Sequence, residues 1–176
     1  MEVSREEEFW NALTHFIGLL GSIIGISYLL FTNDVLPILS LSSILFFGFG
    51  LVSVYLSSTL YHYVSEPVLK EKLRIFDHIS IYYLIAGSYA PVCLITLLDK
   101  SGIYIFIAVC IIAIFGTIFK LFYTGKFEKL SLGLYLLMGW VIVIDIKTLF
   151  EVLEFNGIIL LALSGLSYTL GTIFYS

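Results

Sequence analysis

The chain has 176 residues, of which 60% are hydrophobic and only 12% charged, with a formal net charge of −4 and a mean hydropathy of +1.05. Soluble domains carry about 45–50% apolar and about 25% charged residues, so these figures exclude a soluble globular domain, a disordered chain and a coiled coil. A bilayer span takes about 20 residues, which limits the chain to at most about seven spans and leaves almost nothing for an extramembrane domain.

Six apolar runs follow one another, at residues 9–31, 38–64, 75–98, 103–123, 130–153 and 157–175. Short polar links separate them, at 32–37, 65–74, 99–102, 125–129 and 154–156. A segment in hydrocarbon must satisfy its own backbone hydrogen bonds, so a span is a helix or a barrel strand. These runs do not alternate, and they are far longer than a barrel strand of about 10 residues. The expected fold is therefore all-α: a polytopic membrane helix bundle forming a single transmembrane domain over residues 1–176. The first eight residues include Glu2, Glu6, Glu7 and Glu8, unlike the basic start of a secretory signal, so the first run reads as a retained helix.

Basic residues in short loops set orientation. One side receives Arg5, Lys70, Lys72, Arg74, Lys120, Lys126 and Lys129, and the other receives Lys100 and Lys147. The amino terminus is therefore expected in the cytoplasm, with the protein multi-pass in the cell membrane. No basic block suggests nucleic acid. Cys93 and Cys110 lie inside apolar runs, where a free thiol behaves as a small hydrophobe.

Polar groups inside a membrane are costly and so are candidates for function. Ser58 and His62 are four residues apart and share one face of the second span. Asp77 opens the third span, and the short link places it at the same depth as His62. An imidazole, a carboxylate and a hydroxyl at one level suit a zinc site or a proton relay, and equally suit wet residues at helix ends. His15, in the first span, reads as a lone histidine bonded to a backbone carbonyl or as a partner of the His62 site. His78 points some 100° away from Asp77, so Asp77 is expected to face inward and His78 to be structural. Pro91 is expected to kink the third span. Asp145 and Lys147, outward in the fifth, read as an ion pair or as snorkelling ends.

The residues Glu8-x-x-Asn11-Ala12-x-Thr14-His15-x-x-Gly18 resemble the opening of haemolysin III proteins. So do Ser57-Ser58-Thr59-Leu60-Tyr61-His62 and Phe76-Asp77-His78-x-Ser80-Ile81-Tyr82, which continues through Gly87-Ser88-Tyr89-x-Pro91. Gly165-x-Ser167-Tyr168-x-Leu170-Gly171-x-x-Phe174-Tyr175 resembles the sixth-span motif of that family, which is related to the progestin and adipoQ receptors and, more distantly, to alkaline ceramidases.

The resemblance implies a seven-helix bundle with one zinc ion near the cytoplasmic face. It makes His62 a zinc ligand and Asp77 the holder of a zinc-bound water, with Ser58 beside them. It also implies two further histidines, spaced HxxxH, on a seventh span. This sequence has no histidine after His78 and stops at Ser176, so six of the seven spans are expected, with an incomplete zinc site and an open groove. For the intact form the resemblance implies a zinc-dependent hydrolase of a membrane lipid amide or ester, with Asp77 and Ser58 catalytic. The alternatives are a non-enzymatic regulator of lipid homeostasis with structural zinc, and a pore-forming haemolysin.

Overall fold

The computed structural model describes residues 4–32 and 37–175, with side chains through Thr172. Most of the link expected at 32–37, the side chains of Phe174 and Tyr175 in the closing motif, and Ser176 lie outside the described residues. All described elements are helical: α1 Arg5–Phe31, α2 Ile38–Tyr63, α3 Pro67–Pro91, α4 Gly102–Tyr123, α5 Glu128–Trp140, α6 Ile146–Val152 and α7 Phe155–Tyr175. Six helical segments are long and apolar enough to cross a membrane, with α5 and α6 sharing one of them. Large apolar side chains such as Ile24, Phe122 and Leu160 stand exposed on the outside, where lipid rather than water would cover them.

Helix ends follow local chemistry. α1 starts in a capping box: the Ser4 N–H donates to the Glu7 carboxylate at 2.7 Å, and the Glu7 N–H donates to Ser4 Oγ at 3.2 Å. Glu6, Glu7 and Glu8 sit at the positive end of the helix dipole. The link expected at 65–74 is mostly helix, since α3 begins at Pro67. Proline suits the first helical position, and the Glu66 carboxylate accepts from the N–H groups of Val68 and Leu69 at 3.0 and 2.6 Å. Lys70, Lys72 and Arg74 therefore ride on a helix that extends past the apolar run.

The fifth span departs from the single helix expected at 130–153. It breaks between α5 and α6 into one 3₁₀ turn, Val141–Asp145. The β-branched run Val141-Ile142-Val143-Ile144 is stiff at χ1, and a side chain enters the break. The buried Tyr89 hydroxyl shares its proton between the carbonyls of Met138 and Gly139, at 2.7 and 3.0 Å, and accepts from the Ile142 N–H at 3.1 Å. Asp145 then caps α6, its carboxylate accepting from the Thr148 N–H at 3.4 Å and from the Thr148 hydroxyl at 2.7 Å. Pro91 ends the α-helical part of α3. One wider turn, Val92–Thr96, follows, closed by the Leu97 N–H on the Val92 carbonyl at 2.9 Å. Cys93 and Cys110 are free thiols.

α3 is the central helix and packs against α2, α4 and α5. Its Tyr82, Ile85, Ala86 and Tyr89 form a core with Ile105 and Val109 of α4 and with Tyr135 and Met138 of α5. The α2–α3 contact is backbone on backbone. A Cβ placed at Gly50 would lie 2.7 Å from the Tyr83 carbonyl oxygen, and one at Gly87 would lie 3.0 Å from that of Phe46. Between helices in lipid, small residues that admit such approach supply the packing energy.

Gly50→Ala is expected to cost about 1–3 kcal/mol through forced separation of the two backbones, seen as a lower unfolding temperature in detergent. Gly21→Ala, whose Cβ would meet nothing within 4 Å, is the contrast. It is expected to be neutral or stabilising by up to about 1 kcal/mol through helix propensity.

Candidate functional site

The close α2–α3 contact sets the register of the candidate residues. The Ser57 and Ser80 hydroxyls share a hydrogen bond of 2.9 Å across the interface, and Ser80 Oγ also donates to the Asp77 carbonyl at 2.7 Å. The buried Ser58 is a hydrogen-bonding neighbour of the half-buried Asp77 carboxylate. The Ser57–Ser80 pair sets Asp77 opposite the stretch of α2 between Ser58 and His62. His62 remains close enough to Asp77 to interact with it electrostatically.

α1 closes the other side of His62. Its Glu8 carboxylate lies 2.7 Å from His62 Nδ1 with one oxygen and accepts from Lys70 Nζ at 2.9 Å with the other. Lys70 Nζ also sits 4.9 Å over the Tyr61 ring. His15, weighed above as a lone histidine or as a partner of the His62 site, lies against His62 with the two rings parallel at 5.7 Å between centroids. The Tyr55 ring packs beside His15 and over Gly18. Glu8 and Lys70 are the residues that motif reading alone did not single out for this site. A signal was present, since Glu8 and His15 are seven residues apart on one helix face.

The described residues contain no group of three or more histidine, cysteine, aspartate and glutamate side chains placed to hold a metal. A catalytic zinc takes three protein ligands. His62, with Asp77 and Ser58 beside it, fits the share of a zinc site that the resemblance assigns to the second and third helices, and that share alone.

Away from Asp77, α3 faces a second polar cluster. His78 is buried and lies near Lys120, Glu128 and Arg74, and its carbonyl accepts from the Tyr135 hydroxyl at 2.7 Å. The Lys120 ammonium donates to the Glu128 carboxylate at 2.5 Å. Glu128 reaches back across the α4–α5 turn, where its other oxygen accepts from the N–H of Gly125 at 2.9 Å. Gly125 has a φ of +78°, which glycine adopts without strain. Asp77 and His78 thus serve different flanks of α3, about 100° apart.

A cavity of about 340 Å³ lies between α2 and α3 on one side and α7 and the broken fifth span on the other. Phe47, Leu51, Leu84, Ser88 and Tyr168 are among its lining residues. Leu51 and Ser58 are seven residues apart, as are Leu84 and Asp77, so both pairs share helix faces over two turns. The cavity therefore continues the stripe on which Ser58 and Asp77 sit, about 10 Å further along the helices.

The Lys120–Glu128 pair is asymmetric, because the lysine side chain is 1% exposed and the glutamate 41%. Glu128→Gln strands a buried ammonium and is expected to cost about 3 kcal/mol. Lys120→Met leaves an acid that can reach solvent and is expected to cost clearly less. Unfolding temperatures of the two purified variants check the order.

The sequence model described as Haemolysin-III related matches residues 3–176. The chain is 40% identical over 171 residues to the Hemolysin-3 homolog of Bacillus subtilis (strain 168), covering 97% of this chain and 80% of that protein. It is 37% identical to Hemolysin-3 of Bacillus cereus, covering 97% and 78%. The monocyte to macrophage differentiation factor of Homo sapiens is 30% identical over 136 residues, covering 73% and 55%. No solved structure matches the chain. With a family match over almost its whole length, on a helical bundle that carries the serine, histidine and aspartate of the motif, the chain belongs to the haemolysin III-related membrane proteins.

Proposed function

We propose that the intact protein is a zinc-dependent hydrolase of a membrane lipid amide or ester, set in the cell membrane with its amino terminus in the cytoplasm. The observation that carries this reading is the apolar cavity lined by Leu51 of α2 and Leu84 of α3, on the helix faces that carry Ser58 and Asp77 about 10 Å away. An acyl chain suits the cavity, and the group to be cleaved would then lie at the hydroxyl and the carboxylate.

His62 would hold the zinc, together with the two histidines that the family carries on a seventh span. Zinc, when bound, polarises a carbonyl and eases the deprotonation of water. Asp77 takes the proton of the attacking water and returns it to the leaving amine or alcohol. Ser58 has one proton to give, either to the Asp77 carboxylate, which it then orients, or to the oxygen on which charge develops. The apolar walls hold the chain and exclude bulk water. The name of the bacterial relatives points to lysis of cells. Most ionisable residues of the spans here gather at their ends, Asp145 and Lys147 of the fifth excepted, which favours lipid chemistry over a water-filled pore.

Asp77→Ala in the intact protein is expected to lower zinc-dependent turnover of a long-chain N-acyl amide or acyl ester by about 10²–10⁴-fold, with an unchanged unfolding temperature. Equal turnover by the variant would sink the hydrolase reading. Stoichiometric zinc with thermal stabilisation but no turnover would move the protein to the regulators. Zinc-independent release of dye from liposomes would make it a pore.

A further inference from the structure

We propose that the turn between α4 and α5 is a docking point for an acidic phospholipid: Lys126 and Lys129 take the headgroup phosphate, and Phe127 seats its ring among the tops of the acyl chains. This site shares no residue with the hydrolytic site proposed above.

The turn lies at the level of headgroups. The apolar segments that flank it end at Tyr123 and begin at Glu128, so the few residues between them cannot stray from the bilayer surface. The acid of the turn is directed inward. Between Lys120 and Leu130 the sole carboxylate is that of Glu128. One of its oxygens accepts from the buried Lys120 ammonium at 2.5 Å, and the other accepts from the Gly125 N–H at 2.9 Å. Lys126 and Lys129 are exposed, and among the described residues neither forms an ion pair. Arg74, whose guanidinium lies against Gly125, is already paired with Glu71 at 2.8 Å. The outer surface of the turn is thus left with two positive charges and no internal countercharge.

Phe127 is displayed at a backbone cost. Its φ is +54°, in the left-handed region that a bulky side chain adopts only under strain. The ring packs beside Phe119 and Tyr123, with centroids 6.3 and 6.0 Å away, yet stays 63% exposed. Leu130 is exposed next to it. Apolar rings and aliphatic groups interleaved with lysine make an interfacial anchor: the apolar part enters the acyl boundary while the cations meet acidic headgroups.

The bland alternative is that these lysines only set orientation during insertion and afterwards face water. Native mass spectrometry of the purified chain, released from a neutral detergent, separates the two. Phosphatidylglycerol is the acidic probe and phosphatidylcholine, with the same acyl chains, the neutral one. Unfolding temperatures are read with each lipid and with inorganic phosphate. The wild type is expected to prefer phosphatidylglycerol and to be stabilised by it, and not by phosphate at the same concentration. Lys126→Gln and Lys129→Gln are each expected to raise the phosphatidylglycerol Kd about fivefold, and the double variant about 25-fold, with the phosphatidylcholine Kd unchanged. The controls are Lys72→Gln, exposed on α3 at the same end of the bundle, and Lys100→Gln, exposed at the other end; both are expected to leave the two Kd values as they are. Phe127→Asn, which tolerates left-handed backbone, is expected to weaken both lipids alike, since a ring reads no headgroup charge.

A double variant that binds phosphatidylglycerol as tightly as the wild type overturns the proposal. So does an equal loss in Lys72→Gln, because the lipid then reads the charge of the whole end rather than the turn. Equal stabilisation by inorganic phosphate overturns the lipid as occupant. Unchanged Kd values in Phe127→Asn overturn the seating of the ring. If the double variant does not fold, the two single variants decide by the same measure.

Discussion

The rest of the bundle depends on the backbone contact between α2 and α3. In a bilayer, lipid tails are as apolar as leucine, so helices gain little from hiding apolar side chains against one another. What remains is close packing and hydrogen bonding between helices. Gly50 and Gly87 permit the first, because each meets the backbone of the facing helix. The Ser57–Ser80 pair supplies the second. With those three points fixed, the pairing of Ser58 with Asp77 has no freedom left, and the depth of the candidate site follows.

Once docked on α2, α3 serves as the axis for the other helices. In hydrocarbon every backbone polar group needs an internal partner, and side chains from neighbouring helices meet that need here. The Tyr89 hydroxyl enters the break in the fifth span and satisfies groups that a regular helix would have paired. In return, Tyr135 of α5 donates to the carbonyl of His78 on α3. The two tyrosines tie α3 to α5 near the middle and near one end, which makes the break in the fifth span a fixed feature of the fold.

The sequence disclosed the coarse fold because hydropathy reports spans directly, and it made Ser58, His62 and Asp77 candidates because they sit in compact motifs. Their register was not legible. It is set by which glycines meet which backbone, and a list of small residues does not say which face is used. The start of α3 was hidden because Lys70, Lys72 and Arg74 look like loop residues, although Glu66 and Pro67 carry helix-start chemistry. The broken fifth span depends on Tyr89, a residue more than forty positions away in the chain. The Glu8–His62 contact joins residues 54 positions apart, and the seven-residue spacing of Glu8 and His15 is the one sign of which acid turns inward.

Asp77 and His78 are consecutive, yet one faces the serines of α2 and the other faces the Lys120–Glu128 pair. Their peptide is thus a shared wall between two polar sites. A helix advances about 100° per residue, so one inserted residue between His78 and Gly87 would turn both side chains away from their partners at once, while Gly87 stayed seated on α2. The same insertion in the non-helical link near residues 64–66 would turn neither. This stretch of α3 should accept almost no change of length while the link before it accepts one readily, an asymmetry that would show in any survey of tolerated insertions along the chain.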